Sequence, residues 1–219
     1  MNNVSEIAII LGTSAIRNIF KIEDLADSFI SNMRNIKNNV NIYIPYAVLE
    51  ELRDQCKKGM IDHEKIIWYF LNQEVIVHNI NEDLEKWCND VLKRTNIDIQ
   101  KLYKTDKHCI YLSLQLSRKK GIKIVFLVTD DLEMYEVSKV IFQKQCIGIV
   151  YLTAQFLIFL LTRKLMPFTL SEIYDYILRM YRDYNGEFRD KIEKYLEEIS
   201  RCLCPYSCRY IINCTVIKQ

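Results

Sequence analysis

The sequence predicts an α/β protein in which a parallel sheet is covered on both faces by helices and followed by a helical extension. Three observations predict it. Short apolar runs such as Ile7–Leu11, and Ile122–Val128 with Lys123 as its one charge, fit strands buried on both faces, as in the interior of a parallel sheet. These runs alternate with segments of helical apolar spacing, which supply the crossovers between parallel strands. Beyond Tyr151 the strands cease and only helical spacing remains.

The first strand, Ile7–Leu11, runs into Gly12-Thr13-Ser14 at its carboxyl end, where open α/β sheets place ligands. Thr13 or Ser14 is suited to cap the helix that follows. Over Ile19–Met33, residues Ile22, Leu25, Ala26, Phe29, Ile30 and Met33 form one apolar stripe, leaving Lys21, Glu23, Asp24 and Asp27 outside. A second strand, Val40–Ile44, ends at Pro45, which opens a helix over Tyr46–Gln55 because proline is tolerated at the first helical position. Val48, Leu49 and Leu52 face inward there, and Glu51 lies one turn from the strand end.

A helix over Asp62–Leu71 and a third strand over Val75–Val77 come next. Glu82–Lys93 is amphipathic, with Leu84, Trp87, Val91 and Leu92 on one side, and Thr105–Arg118 is a helix with Asp106 in its first turn. The fourth strand, Ile122–Val128, ends in Thr129-Asp130-Asp131; a helix over Leu132–Phe142 and a fifth strand over Ile147–Tyr151 complete the alternation. Helical patterns over Thr153–Lys164, Leu170–Arg182 and Glu187–Ser200 follow, and the tail from Arg201 has no clear period. This change of pattern divides the chain into an α/β domain, 1–151, and a C-terminal helical extension with a cysteine-rich tail, 152–219.

With 219 residues, 50% hydrophobic and 26% charged, the chain suits one main globular core. A net charge of +2 neither demands nor excludes a nucleic-acid partner, because a local basic face can steer while the total stays near neutral. Cys146–Thr162 is nearly uncharged, yet Gly148, Thr153 and Gln155 interrupt it, and it falls short of the about 20 apolar residues of a spanning helix. No membrane segment is therefore expected. Met1–Glu6 lacks the pattern of a secretion signal, so a cytoplasmic protein is expected.

The chemistry rests on acids at the strand ends. Glu51, Asp106 and Asp131 each follow, or lie on a helix beside, a different strand end, with Thr129 and Asp130 adjacent to the last. Carboxylates gathered in one cleft raise each other's pKa unless a cation neutralises them, and Mg²⁺ or Mn²⁺ is the hard, oxygen-preferring partner. Such ions activate water and stabilise a leaving oxygen in phosphodiester hydrolysis. The competing reading makes each acid a solvated helix residue or an amino-terminal cap.

Taken in order, these segments resemble the PIN-domain nucleases. In that family the first strand ends in Asp-Thr-Ser, the second is followed by Pro and a Glu-Leu pair on a helix, a later helix opens with Asp, and the fourth strand ends in Thr-x-Asp. This chain shows Leu11-Gly12-Thr13-Ser14, Pro45 with Glu51-Leu52, Thr105-Asp106, and Val128-Thr129-Asp130-Asp131. The resemblance covers about residues 7–151. It implies a three-layer α/β/α fold with a five-stranded parallel sheet in the order 3-2-1-4-5, and a Mg²⁺- or Mn²⁺-dependent endoribonuclease acting on RNA. By motif position Glu51, Asp106 and Asp131 are the catalytic, metal-binding acids, Asp130 an accessory ligand, and Thr13, Ser14 and Thr129 polar supports. It also implies dimerisation and, as in the family's toxins, an antitoxin, a small inhibitor protein whose peptide lies in the acidic groove.

The departure is Gly12, which stands where the family has its first Asp. Loss of that ligand weakens divalent binding and impairs cleavage. Three readings stay open: a relative that binds RNA or a protein partner without cleaving, an enzyme in which a water or Asp130 substitutes, or a chain altered to silence a toxic nuclease.

Lys57 and Lys58, close after Glu51, are the candidates for substrate backbone. Arg118, Lys119, Lys120 and Lys123 form a basic cluster that also fits the ordinary preference of helix ends for cations. Cys202, Cys204, Cys208 and Cys214 crowd the tail, where Zn²⁺, disulfides or free thiols are the alternatives, although paired C-x-x-C knuckles are lacking. His63, His78 and His108 show no metal spacing, and no glycine-rich phosphate loop follows any strand. The extension covers the sheet edge, forms a dimer or binds an inhibitor, and the stripe Ile173, Tyr176, Ile177 and Met180 reads first as core.

Overall fold

A computed structural model describes residues 7–36, 40–59, 75–94, 96–118, 120–184 and 186–202. Five strands, β1 (Ile7–Leu11), β2 (Val40–Pro45), β3 (Val75–His78), β4 (Ile124–Val128) and β5 (Gly148–Tyr151), form one parallel sheet in the order β3-β2-β1-β4-β5. The central strand is registered on both neighbours, Ile9 facing Ile42 on one side and Phe126 on the other. Ala8, Ile9, Ile10 and Leu11 are all buried, which accounts for an apolar run without alternation.

Helices pack on both sides of the sheet. In chain order the described ones are α1 (Thr13–Phe20), α2 (Glu23–Ile36), α3 (Tyr46–Lys57), α4 (Glu82–Lys93), α5 (Lys104–Arg118), α6 (Leu132–Gln145), α7 (Thr153–Thr162), α8 (Leu170–Met180) and α9 (Glu187–Cys202). Helix α5 lies against β1, β2 and β4 and also meets α3 and α4. Its Cys109, Ile110, Tyr111, Leu112, Leu114 and Leu116 are buried. The expected helix over Asp62–Leu71 lies outside the described residues.

The stripe read as one helix over Ile19–Met33 is divided. Helix α1 closes at Lys21, whose N–H donates to Arg17, and α2 begins after Ile22, whose carbonyl accepts from Ala26. The acidic Glu23 and Asp24 favour a new helix start there, while the apolar period runs through the break and hides it. Neither Thr13 nor Ser14 caps α1, because the cap position is Gly12, extended at φ −77° and ψ 163°, with no side-chain cap. Pro45 similarly sits one residue earlier than expected, at the cap of α3 rather than in its first turn.

The uncharged segment Cys146–Thr162 is cut by Leu152 into strand β5 and helix α7, and no described helix is long and apolar enough to cross a membrane. Gly148 is required where β5 meets β4, since a Cβ there would lie 2.0 Å from the Val125 carbonyl oxygen. The extension joins the same core: Phe156, Leu157, Ile173, Ile177, Met180 and Leu196 are buried with the sheet residues. The stripe Ile173, Tyr176, Ile177 and Met180 is thus core.

Helix α6 ends on Cys146 in the left-handed region, φ 50°, with the Ile147 N–H reaching back to the Phe142 carbonyl. Glycine takes this position without the steric penalty of a Cβ. Cys146→Gly is therefore expected to stabilise the fold by about 0.5–1 kcal/mol, read from the midpoint of urea unfolding.

Candidate acidic site

At the carboxyl edge of the sheet a chain of hydrogen bonds ties three strand ends together. Thr13 Oγ1 donates to Glu51 Oε2 at 2.8 Å, joining the start of α1 to α3. Ser14 Oγ meets Thr129 Oγ1 at 3.3 Å and accepts the Asp130 N–H at 2.9 Å. Thr129 Oγ1 in turn accepts the Asp131 N–H at 3.1 Å. The backbone of Gly12 closes the arrangement, its N–H donating to the Val128 carbonyl at 2.9 Å. Glu51 and Asp131 consequently stand on either side of Gly12, the positions of Thr13, Ser14 and Thr129 being fixed by these contacts.

Asp106 completes the cluster from the first turn of α5. Burial pushes its carboxyl from an ordinary 3.8 up to about 7, with repulsion from Asp131, Glu51 and Glu133 adding to the rise. That repulsion puts Asp131 and Glu51 within electrostatic reach of Asp106. Each also has an ordinary structural duty: Asp106 accepts the Tyr103 N–H, Glu51 Oε1 accepts from Gln55 at 3.1 Å, and Asp131 Oδ1 caps α6 through the Met134 N–H at 2.8 Å.

Asp130 has a different place from the one expected. Its carboxylate is turned into the interior, only 5% of the residue being exposed. Oδ1 accepts from the Thr153 N–H at 2.9 Å and the Tyr181 hydroxyl at 2.8 Å; Oδ2 accepts from Thr153 Oγ1 and from Asn18 Nδ2, both at 2.6 Å. With both oxygens occupied by donors from α1 and the extension, Asp130 is neither an accessory metal ligand nor a substitute for the missing acid. Burial raises its pKa, opposed by these four donors. Asn18, Thr153 and Tyr181 were not read as site residues from the sequence. The available signal was a polar residue inside an apolar stripe, Asn18 between Ile16 and Ile19, and Tyr181 four residues after Ile177.

Lys57 and Lys58 stand apart from the acidic cluster. They end α3, roughly 9–10 Å further along the helix axis than Glu51 and away from the edge where α3 starts. Lys57 Nζ instead lies 3.4 Å from Asp54, one turn back. In the other basic cluster, Arg118 donates to the Gln145 carbonyl at 2.8 Å and Lys120 lies 5.9 Å from the centre of the Tyr43 ring. Cys204, Cys208 and Cys214 lie outside the described residues, and of Cys202 only the helical backbone is described. His63 also lies outside them. His78 and His108 are both lowered from the ordinary histidine value, chiefly by burial.

A family model described as the PIN domain matches residues 19–140. The chain belongs to the PIN-domain family. The matched segment contains Glu51, Asp106 and Asp131 and begins after Gly12-Thr13-Ser14. Among solved structures the chain is similar to VapBC2 from Rickettsia felis bound to a DNA fragment from their promoter. The identity is 17%, the TM-score 0.41, and the match covers 66% of this chain and 98% of that one. No curated protein matches the chain.

PIN domains typically use divalent metal ions. The oxygens of Glu51, Asp106 and Asp131 are of the kind that Mg²⁺ and Mn²⁺ prefer. Among the described residues, however, no group of three or more His, Cys, Asp or Glu side chains is placed to hold a metal ion. Gly12 offers no side chain, both Glu51 oxygens accept hydrogen bonds, and one Asp131 oxygen is committed to its helix. As arranged, the residues present do not fit a resident ion.

Proposed function

We propose that this PIN-family chain is directed at RNA and carries an attenuated endoribonuclease site, in which Glu51, Asp106 and Asp131 remain and the fourth acid is replaced by Gly12. PIN domains are generally nucleases. The observation that supports the reading is the placement of Glu51, Asp131 and Asp106 around the Gly12-Thr13-Ser14 turn at one sheet edge, joined by the Thr13–Glu51 and Ser14–Thr129–Asp131 contacts, with Asp106 raised by burial first and then by Asp131 and Glu51. Thr13, Ser14 and Thr129 act as positioning groups for Glu51 and for the turn that presents Asp131. Cleavage stimulated by Mg²⁺ or Mn²⁺ is accordingly feeble in this chain.

Gly12→Asp tests the reading, and the position admits the change. Its backbone angles are ordinary for any residue, and an added Cβ meets the Val128 carbonyl oxygen at 3.3 Å and Thr129 Oγ1 at 3.5 Å, which needs only small adjustment. With a panel of RNAs and Mn²⁺, Gly12→Asp is expected to raise cleavage at least about tenfold, the effect of one added charged group in a transition state. Adding Asp131→Asn to that variant is expected to abolish the gain. Equal cleavage by both forms at position 12 would count against the site.

A second reading, a module that binds RNA or a protein partner without cutting, is favoured by the structural duties of all three acids. It predicts RNA retention without metal and no cleavage by either form. Dimerisation and an antitoxin-like inhibitor belong to the proposal through family membership alone, as does a cytoplasmic setting.

A further inference from the structure

We propose that Tyr103 and Tyr46, with Lys101, Lys104 and Lys107, form a platform on which unpaired bases of a single-stranded RNA stack as the strand passes the acidic cluster. This rests on the RNA-directed reading and names the form of RNA and the residues that would grip it.

Tyr103 is 76% exposed, far more than any other large apolar side chain described as exposed. A tyrosine ordinarily buries its ring and leaves its hydroxyl wet, so a ring standing in solvent has surface to offer a partner. Its place in the chain makes no use of it. Tyr103 occupies the cap of α5, its carbonyl accepting from Lys107 at 3.0 Å, where Ser, Thr, Asp or Asn would satisfy the helix better. Its backbone N–H donates to the Asp106 carboxyl, which fixes the residue at the margin of the cluster. Tyr46, 40% exposed, opens α3 directly at the carboxyl end of β2. Helices α3 and α5 pack against each other, so the two tyrosines mark neighbouring helix starts on one edge of the sheet.

The lysines carry the second observation. Lys101 and Lys104 are exposed, and among the described residues neither makes an ion pair. Lys107 Nζ is held by the Gln100 carbonyl at 3.0 Å. Cations at the end of a helix are accounted for by its dipole, as at Arg118, but at the start of α5 they oppose it. Their placement beside an exposed ring suits a phosphate backbone whose bases are free to stack. Base stacking on aromatic rings tolerates any sequence, and it requires bases that are not already stacked in a duplex.

The test is binding of the full chain to a fluorescent single-stranded RNA of about a dozen nucleotides, and to the same length of RNA duplex, by anisotropy across a salt series. Tyr103→Ala is expected to weaken single-strand binding about tenfold, Tyr103→Phe to leave it within about twofold, and the duplex to bind more weakly than the single strand. Lys104→Ala is expected to reduce the slope of log affinity against log salt by about 0.7. Because Tyr103 is exposed, the thermal midpoint is expected to stay unchanged in these variants. Undiminished binding by Tyr103→Ala, or equal affinity for the duplex, would overturn the platform and leave the RNA reading standing. Failure of the unaltered chain to bind either RNA would overturn both.

Discussion

Asp130→Ala is expected to destabilise the protein by about 4 kcal/mol, because it strands the Thr153 N–H, the Thr153 and Tyr181 hydroxyls and the Asn18 amide in a buried site. Tyr181→Phe removes one donor to the same carboxylate and is expected to lower stability by about 2 kcal/mol. Urea unfolding measures both. The sign separates two roles for an acid at this strand end. Were Asp130 one of several repelling carboxylates facing an open metal site, its removal in metal-free buffer would relieve repulsion and stabilise the chain. A buried carboxylate that gathers four donors gives the opposite result. The node also explains how the extension is attached: Thr153 begins α7, Tyr181 ends α8, and both converge on a residue adjoining Asp131. Tyr184 extends the contact, accepting from Asn18 Nδ2 at 3.2 Å and Arg17 at 3.3 Å.

Asp106→Asn is expected to act the other way, stabilising the fold by about 2 kcal/mol at pH 8 and hardly at all at pH 4. In the unfolded chain the carboxyl releases its proton near 3.8, whereas in the folded chain it holds it up to about 7. Between these values the folded state binds more protons than the unfolded one, so stability falls as pH rises, and above about 7 the loss is complete. Each tenfold difference in proton affinity corresponds to about 1.4 kcal/mol, and solvent screening at this partly exposed carboxyl reduces the full value to the about 2 kcal/mol expected. Asparagine keeps an acceptor for the Tyr103 N–H while removing the charge that Asp131 and Glu51 repel. Thermal melts of both forms across this pH range check the prediction. Parallel curves would mean that the three acids do not interact.

The order of elements was legible because buried strands and amphipathic helices carry periods that a sequence displays. The sheet order 3-2-1-4-5 came with the family resemblance rather than from any period. What escaped was set by contacts across the chain. Asp130 and Asp131 are adjacent acids at one strand end, and nothing in their sequence says which turns inward. The decision belongs to Asn18, Thr153 and Tyr181, 112, 23 and 51 residues away. The break between α1 and α2 was hidden for the converse reason, since Ile22 keeps the apolar period while the backbone changes direction. Lys57 and Lys58 are near Glu51 in sequence but not beside it in space, since a helix carries each residue about 1.5 Å further along its axis.

In the proposed site Gly12 stands in place of one acid of the cluster that Glu51, Asp106 and Asp131 would otherwise complete. Calorimetric titration with Mn²⁺ at neutral pH tests this most directly, comparing the unaltered chain with Gly12→Asp. The unaltered chain is expected to show no saturable binding in the micromolar range. Gly12→Asp is expected to bind at least about tenfold more tightly, with the gain lost when Asp131→Asn is added, as one more anionic ligand on a hard cation implies. Equal Mn²⁺ affinity in the presence and absence of an acid at position 12 would contradict it.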